Sequence, residues 1–440
     1  PGELAGYWSA HQRHGRLPWI TLFQPTIRLA KYGFTMPRFT AKALSWWNMN
    51  KKDLTKDESL CEVFCKADGT AKQQGDILYM PTLAKTMEII AKSGPQEFYN
   101  GSLTDTVIAE LNSLKKTKFA PKKVFHRKDF TKYQVKIREP FKTRLGNLTM
   151  YAPTTPGGGP AIGFMLKLME GFRLSEKDTH SFLSKANVVH KMTEVMKYGV
   201  AHRMKLGDTD VKHVLRNMSN DAYIQNIMNK ILNCTHPASN FKYYTKRLSK
   251  QDKGTLHISV LAGNGDAVSV TSSINSPLGS FHRSRATGII FNNQMNDFTY
   301  STVSARYKNT DANLVGPSKR PQSSQSPSIF VDDAGEVRIV IGAAGGIHIT
   351  NALLQVLTGM FWLGEDVAFA INKPRITNTL YPYKLRHEQD FNVLLLSHLR
   401  SMGHKTALFY PLPCISRVEC IVQHNNGTFE TYTDRRQFVT

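Results

Sequence analysis

Lys253-Gly254-Thr255-Leu256-His257-Ile258-Ser259-Val260 is the stretch that decides how this chain is read. A Gly–Thr step opens a run in which Leu256, Ile258 and Val260 alternate with His257 and Ser259, the period of a β-strand. Asn264-Gly265-Asp266 follows as a turn, and Ala267 to Ser272 reads as the return strand. Just upstream, Lys242 to Lys253 is polar and basic and reads as an exposed linker. Before that linker the apolar residues recur at helical spacing; after it the period is two.

Working outward, Trp8 to Tyr32 reads as partly helical, with Pro25 expected to interrupt it. Pro81 to Lys92 is amphipathic, and Gln96 to Leu114 continues in the same style. Ala161 to Phe172 is an apolar helix after a Pro/Gly turn, and His180 to Leu206 is long and helical. Pro156-Gly157-Gly158-Gly159 lacks the Lys-Ser/Thr that completes a phosphate loop, so it reads as a turn. Downstream, Ser328 to Asp332 and Val337 to Ile341 read as a hairpin around Ala334-Gly335. Ile349 to Trp362 is an apolar helix, Phe391 to Met402 another, and strands are expected near Val418 to Val422 and Thr428 to Tyr432. Strands flanked by helices on both sides imply stacked α/β layers.

At 440 residues, 41% of them apolar, the chain can bury a large core. No run of about 18 apolar residues could cross a membrane as a helix. The chain opens Pro1-Gly2-Glu3-Leu4 without a Met or a signal peptide, and is expected to begin inside a longer or processed product. The net charge is +23, and Lys115 to Arg144 alone holds 12 Lys or Arg against Asp129 and Glu139. A solvated face, a polyanionic surface and nucleic acid are the three readings of that stripe. No nucleic-acid module accompanies it, so no nucleic-acid partner is expected. Cys61-Glu62-Val63-Phe64-Cys65 offers a CxxxC pair, a weak metal signal by itself. Cys414 and Cys420 flank a short strand and would form a second pair, with Cys234 left over. Sequons stand at Asn100, Asn147, Asn217, Asn233 and Asn426, and that number leans toward the secretory pathway and the cell exterior.

The order and spacing of Gly254-Thr255, Thr271-Ser272-Ser273-Ile274-Asn275, Asn292-Asn293-Gln294-Met295-Asn296-Asp297, Ser323-Ser324 and Gly342-Ala343-Ala344-Gly345-Gly346 resemble the γ-glutamyltranspeptidase family over nearly the whole chain. The resemblance implies a four-layer αββα N-terminal-nucleophile hydrolase. Its precursor would cut itself after Gly254 into fragments 1–254, helix-rich, and 255–440, catalytic, which remain together as a heterodimer. It implies Thr255 as nucleophile, with its own freed α-amino group as base, since a threonine hydroxyl is a poor nucleophile until a base takes its proton. Gly345 and Gly346 would form the oxyanion hole, and Ser273 would hydrogen-bond the nucleophile. Gln294 and Asp297 would hold the substrate's α-ammonium, with Asn275, Ser323 and Ser324 completing the substrate site.

The implied substrates are glutathione and γ-glutamyl peptides. The implied acceptors are water, amino acids or dipeptides, and no metal or cofactor is needed. The resemblance also favours a Cys61–Cys65 disulfide, a structural role for His257, and a structural charge contact for Arg435-Arg436. The family's substrate-carboxylate arginine lies in a segment expected to precede Pro1, because Pro1-Gly2-Glu3 and His11 to Pro18 match a later stretch. A second reading is therefore a catalytically impaired relative that binds γ-glutamyl compounds or a polyanionic surface.

Overall fold

A computed structural model describes residues 2–49, 54, 57–113, 125–236, 244, 255–299, 311–409 and 416–437. The chain divides into two compact units, Pro1–Ile137 with Pro277–Asn293, and Arg138–Ser276 with Gln294–Thr440.

The first unit is mostly helical and includes a short antiparallel strand pair, β1 (Phe34–Thr35) and β2 (Ile77–Leu78). Its helices Trp19–Tyr32 and Pro81–Ser93 pack through Ile27, Ala30, Ala84 and Ala91. Pro25 does not interrupt the first of these: it lies inside a continuous helix. A mid-helix proline costs roughly 3 kcal/mol, and burial of the Ile27 and Ala30 face on the neighbouring helix offsets it. Two helices, Gln96–Asn100 and Ser102–Ser113, are separated at Gly101, whose N–H donates to Thr104 Oγ at 3.1 Å. Asp57 caps Glu58–Phe64 by accepting from Ser59 N at 3.0 Å and Leu60 N at 3.1 Å. At the end of that helix Cys61 and Cys65 form a disulfide.

The second unit is built on a six-stranded antiparallel sheet in the order β13-β12-β8-β7-β4-β3. The strands are β3 (Phe141–Leu145), β4 (Leu148–Ala152), β7 (Ser328–Asp332), β8 (Val337–Ala344), β12 (Arg417–Gln423) and β13 (Phe429–Thr433). A small separate sheet joins β9 (Ile376–Thr377), β10 (Leu385–His387) and β11 (Thr406–Leu408). One face of the large sheet packs on helices Gly159–Gly171, Phe182–Arg203 and Ile349–Trp362, burying Met150, Phe164, Val195, Phe330, Ile341 and Leu353 completely. Successive strand residues point to opposite faces, so Gly342 faces away from that core.

The hairpin of β5 (Leu256–Leu261) and β6 (Ala267–Ser272) lies on Gly342's side, because the His257 ring occupies the space where a Gly342 Cβ would stand. The order is therefore helices, sheet, hairpin. The outer face of the hairpin carries Leu256, Ile258, Val260 and Val268, each about half exposed. β4 pairs with β7 through Leu148↔Asp332 to Tyr151↔Ile329, so chain from both sides of the 254/255 step shares one sheet. The linker Lys242 to Lys253 falls outside the described residues apart from Tyr244. Tyr244 is not exposed as expected: it is buried, and its hydroxyl donates to Glu194.

Candidate active site

Thr255 is half-buried immediately before β5. The last cross-strand pair of its hairpin is Leu256↔Ser272, so Thr255 and Ser273 stand one step beyond it at the open mouth. Two contacts fix how the hairpin runs over β8. Ser269 Oγ, in the Ser259↔Ser269 pair, donates to Ile341 O at 3.1 Å. In the next inward pair, His257↔Thr271, the His257 ring sits on Gly342. Moving toward the mouth thus moves along β8 from Ile341 through Gly342 toward Gly345. Thr255 and Ser273 lie in the direction of the glycine pair.

β8 ends at Ala344, and the chain turns through Gly345 and Gly346 into the Ile349–Trp362 helix. Gly345 has φ 144° and Gly346 φ 60°, conformations that a side chain resists. His348 N donates to Gly345 O at 3.3 Å. In a trans peptide the N–H points opposite to the C=O. The Gly346 N–H therefore points back from the helix start.

β7 runs antiparallel to β8, with Ser328 opposite Ile341, so the segment leading into β7 emerges at the same end of the sheet. Ser323 and Ser324 are on that segment. The Pro156 to Gly158 turn holds them: Ser323 N donates to Pro156 O at 2.9 Å and Gly158 N to Gln325 O at 2.8 Å. A Cβ on Gly158 would lie 2.6 Å from Ser324 O. The expectation of a plain turn stands, yet the turn positions the serine pair, a role with no local signal 165 residues upstream. Ser324 is fully buried, and its backbone carbonyl accepts from Ser326 Oγ at 2.9 Å.

Gln294 and Asp297 share one helical turn, and Gln294 Nε2 donates to Asp297 Oδ2 at 2.7 Å. Asn313 links this turn to the serine segment, donating to Asp297 O at 2.8 Å and accepting from Gln322 N at 2.9 Å. Asn275 is buried with φ 72°, and its N–H donates to Ser273 Oγ at 2.8 Å. Ser273 is thereby tied to the Asn275 turn. Gly254 lies outside the described residues.

His257 sits among Thr271 Oγ1 at 2.8 Å and Ser259 Oγ at 3.0 Å. Burial lowers its pKa to about 4, so the ring is neutral at pH 7 and joins the hairpin to β8. His190, Glu194 and His404 bring ligand atoms within 4.8 Å of one another. Lys197, fully buried, donates to Glu194 at 2.7 Å; His190 Nε2 lies 2.7 Å from Leu232 O, and its Nδ1 lies 2.8 Å from His404 Nε2. Lys197 supplies the positive charge an ion would bring, and the cluster satisfies itself. Cys420 is a free thiol buried in β12, which overturns the Cys414–Cys420 pairing. Burial in the sheet pushes that thiol's pKa up. Cys414 lies outside the described residues, and Cys234 is free and exposed. All five sequon asparagines, Asn100, Asn147, Asn217, Asn233 and Asn426, are exposed.

Among solved structures, the cephalosporin acylase of Bacillus halodurans matches with a TM-score of 0.79, covering 97% of this chain and 74% of that one at 21% identity. The fold is the mixed helix-and-sheet architecture of the N-terminal-nucleophile hydrolases. Residues 1–438 match the γ-glutamyltranspeptidase family, and the chain belongs to it. Scoloptoxin SSD14 of Scolopendra dehaani is 35% identical over 415 residues, 92% of this chain and 70% of the relative. Glutathione hydrolase 2 of Arabidopsis thaliana is 33% identical over 88% of this chain and 66% of its own length. The glutathione hydrolase proenzyme of Escherichia coli (strain K12) is 32% identical over 93% and 69%. The chain thus spans roughly two thirds of its relatives' lengths. The family is one of enzymes, glutathione hydrolases and γ-glutamyltransferases.

Proposed function

We propose that this chain carries the catalytic apparatus of a self-processing γ-glutamyl hydrolase and transferase that acts on glutathione and its conjugates. The observation that carries the reading is the convergence of the β5 start, the β6 end, the β7 start and the β8 end at one end of the second unit. Thr255 Oγ attacks the Gly254 carbonyl, the C–N bond to Thr255 breaks, and the acyl group moves to oxygen as an ester. Water cleaves the ester, leaving a Gly254 carboxylate and a free Thr255 amine. The name proenzyme of the Escherichia coli relative supports a precursor of this kind. The fragments 1–254 and 255–440 then stay together, because β4 and β7 are neighbours in one sheet.

In the mature form the Thr255 amine, with an ordinary pKa of about 7.7–8.0, takes the Oγ proton. Oγ attacks the γ-carbonyl of the substrate. The tetrahedral oxyanion is held by the Gly345 and Gly346 N–H groups, and one such donor is worth about 3–4 kcal/mol. The amine product leaves with the proton, and water or an acceptor amino acid or dipeptide cleaves the ester on Thr255. Asp297, oriented by Gln294, pairs with the α-ammonium, while Ser323, Ser324 and Asn275 line the γ-glutamyl group and Ser273 orients Thr255. The exposed sequons support a glycosylated protein of the cell exterior.

The test is release of glutamate from glutathione by the purified chain and by Thr255→Ala. The variant should fall at least about 10³-fold, as removal of a nucleophile does. Equal rates in both proteins would refute the assignment. Absence of turnover in the parent, with retained binding of γ-glutamyl compounds, would favour the impaired relative.

A further inference from the structure

Arg375 is the largest fully buried side chain of the described residues, 1% exposed. A buried guanidinium is costly unless paired, and here it is paired with purpose. Its Nη2 donates to Asp434 Oδ2 and to Ile371 O, both at 2.7 Å. Asp434 is also completely buried and accepts from Val418 N at 3.0 Å and Arg436 N at 3.0 Å. Arg436 reaches Glu388 at 2.6 and 2.8 Å, and Glu388 accepts from the Arg375 backbone N–H at 2.9 Å. Two arginines and two carboxylates thus close a ring in the second unit. The Arg436 contact expected from sequence is one side of it.

One contact of the ring leads toward the glycine pair. Arg375 Nη1 donates to the Ser416 carbonyl. Ser416 is buried, and its hydroxyl donates to Ala344 O at 2.6 Å, the residue before the glycine pair. The same hydroxyl lies 2.7 Å, and Ser416 Cα 2.9 Å, from where a Gly345 Cβ would stand. Ser416 therefore fills the side of Gly345 that its φ of 144° leaves open. The Ala344 carbonyl belongs to the same peptide plane as the Gly345 N–H, so a hydrogen bond that fixes one aims the other.

We infer that Ser416, braced by Arg375 and Asp434, is a positioning residue for the Gly345-Gly346 oxyanion donors. The inference rests on the reading of that pair given above. It assigns the buried charge ring a task in catalysis as well as in stability. A donor turned away from the oxyanion loses part of what it contributes, and loss of one donor outright costs about 10²–10³ in turnover.

Ser416→Ala removes the hydroxyl without adding bulk. It is measured in two ways beside the parent. In hydrogen exchange followed by mass spectrometry, peptides covering residues 341–350 should exchange faster in the variant, with exchange in the rest of the second unit unchanged. In steady-state hydrolysis of a chromogenic γ-glutamyl anilide, kcat should fall about tenfold or more while KM stays within about twofold, because the loop acts on the transition state and not on substrate binding. Unchanged exchange over 341–350 would overturn the inference whatever the kinetics. Faster exchange with unchanged kcat would overturn it as well, since the loop would then be steadied without consequence. Faster exchange in a chain whose parent form has no hydrolytic turnover would instead overturn the catalytic reading on which the inference rests, leaving Ser416 as a structural brace of the glycine pair alone. Asp434→Asn, which keeps the shape and removes the charge, should reproduce the Ser416→Ala split more weakly.

Discussion

The hairpins β5–β6 and β7–β8 carry the same alternating pattern and are used in opposite senses. In β7–β8 the apolar set, Phe330, Ile339, Ile341 and Ala343, faces the helices and is buried. In β5–β6 the hydroxyl and imidazole set, His257, Ser259, Ser269 and Thr271, faces the sheet, while Leu256, Ile258 and Val260 are 56%, 49% and 47% exposed. A hairpin seated through polar groups has less apolar area to hold it. It gains a row of hydrogen-bonding side chains that ends at Thr255 and Ser273. Seating depends on steric fit and neutral hydrogen bonds, which makes it easier to break from below than from above.

Among changes to the seating of the hairpin, Gly342→Ala should have the largest effect. Its Cβ would stand 2.1 Å from His257 Cε1, so the ring, and the hairpin with it, must lift. Overpacking of this kind costs about 1–3 kcal/mol. Turnover should fall at least tenfold together with the melting temperature. A variant that keeps both would show that the hairpin does not sit on β8 as described.

An intermediate effect concerns pH. His257 has a pKa lowered to about 4 by burial, against about 6.5 when unfolded. Between those values the unfolded chain binds a proton that the folded chain refuses, so this contribution is complete above pH 6.5 and is lost as pH falls toward 4. Thermal melts at pH 7.5, 5.5 and 4.5 should fall progressively, and less steeply in His257→Gln. His202 and His404, lowered to about 3 by burial in the other part of the unit, should leave a residual slope in that variant. Identical slopes in parent and variant would remove His257 from the account.

The smallest effect belongs to the outer face. Ile258→Ser should change the described fold's stability by no more than about 0.5 kcal/mol, as exposed positions do. A loss of several kcal/mol in chemical denaturation would mean that this face is covered in the working protein.

Much of this was legible in the sequence because the signals are local. The Ala267–Ser272 strand, the Ile349–Trp362 helix and the Asp332–Glu336 turn follow from periodicity and glycine placement. Gln294 and Asp297 meet because three residues make one helical turn. The rest depends on distant partners. Alternation announces a strand but not which face is buried, so the inward polar face of β5 needed Gly342, 85 residues later. Nothing near Ser416 or Arg375 marks them, since their meaning comes from Gly345 and Asp434. Pro25 lies in a helix whose Ile27 and Ala30 pack with Ala84 and Ala91, distant partners that no local signal announces. The proposed division at 254/255 rests on chemistry, whereas the compact units follow packing, and their boundaries differ.

The central claim is that Thr255 becomes a chain terminus and acts from there. The purified chain and its Thr255→Ala variant, run side by side on a denaturing gel with N-terminal sequencing of any smaller fragment, test it most directly. The account predicts a fragment beginning at Thr255 in the parent and a single uncut chain in the variant. A single uncut band in both proteins would contradict it.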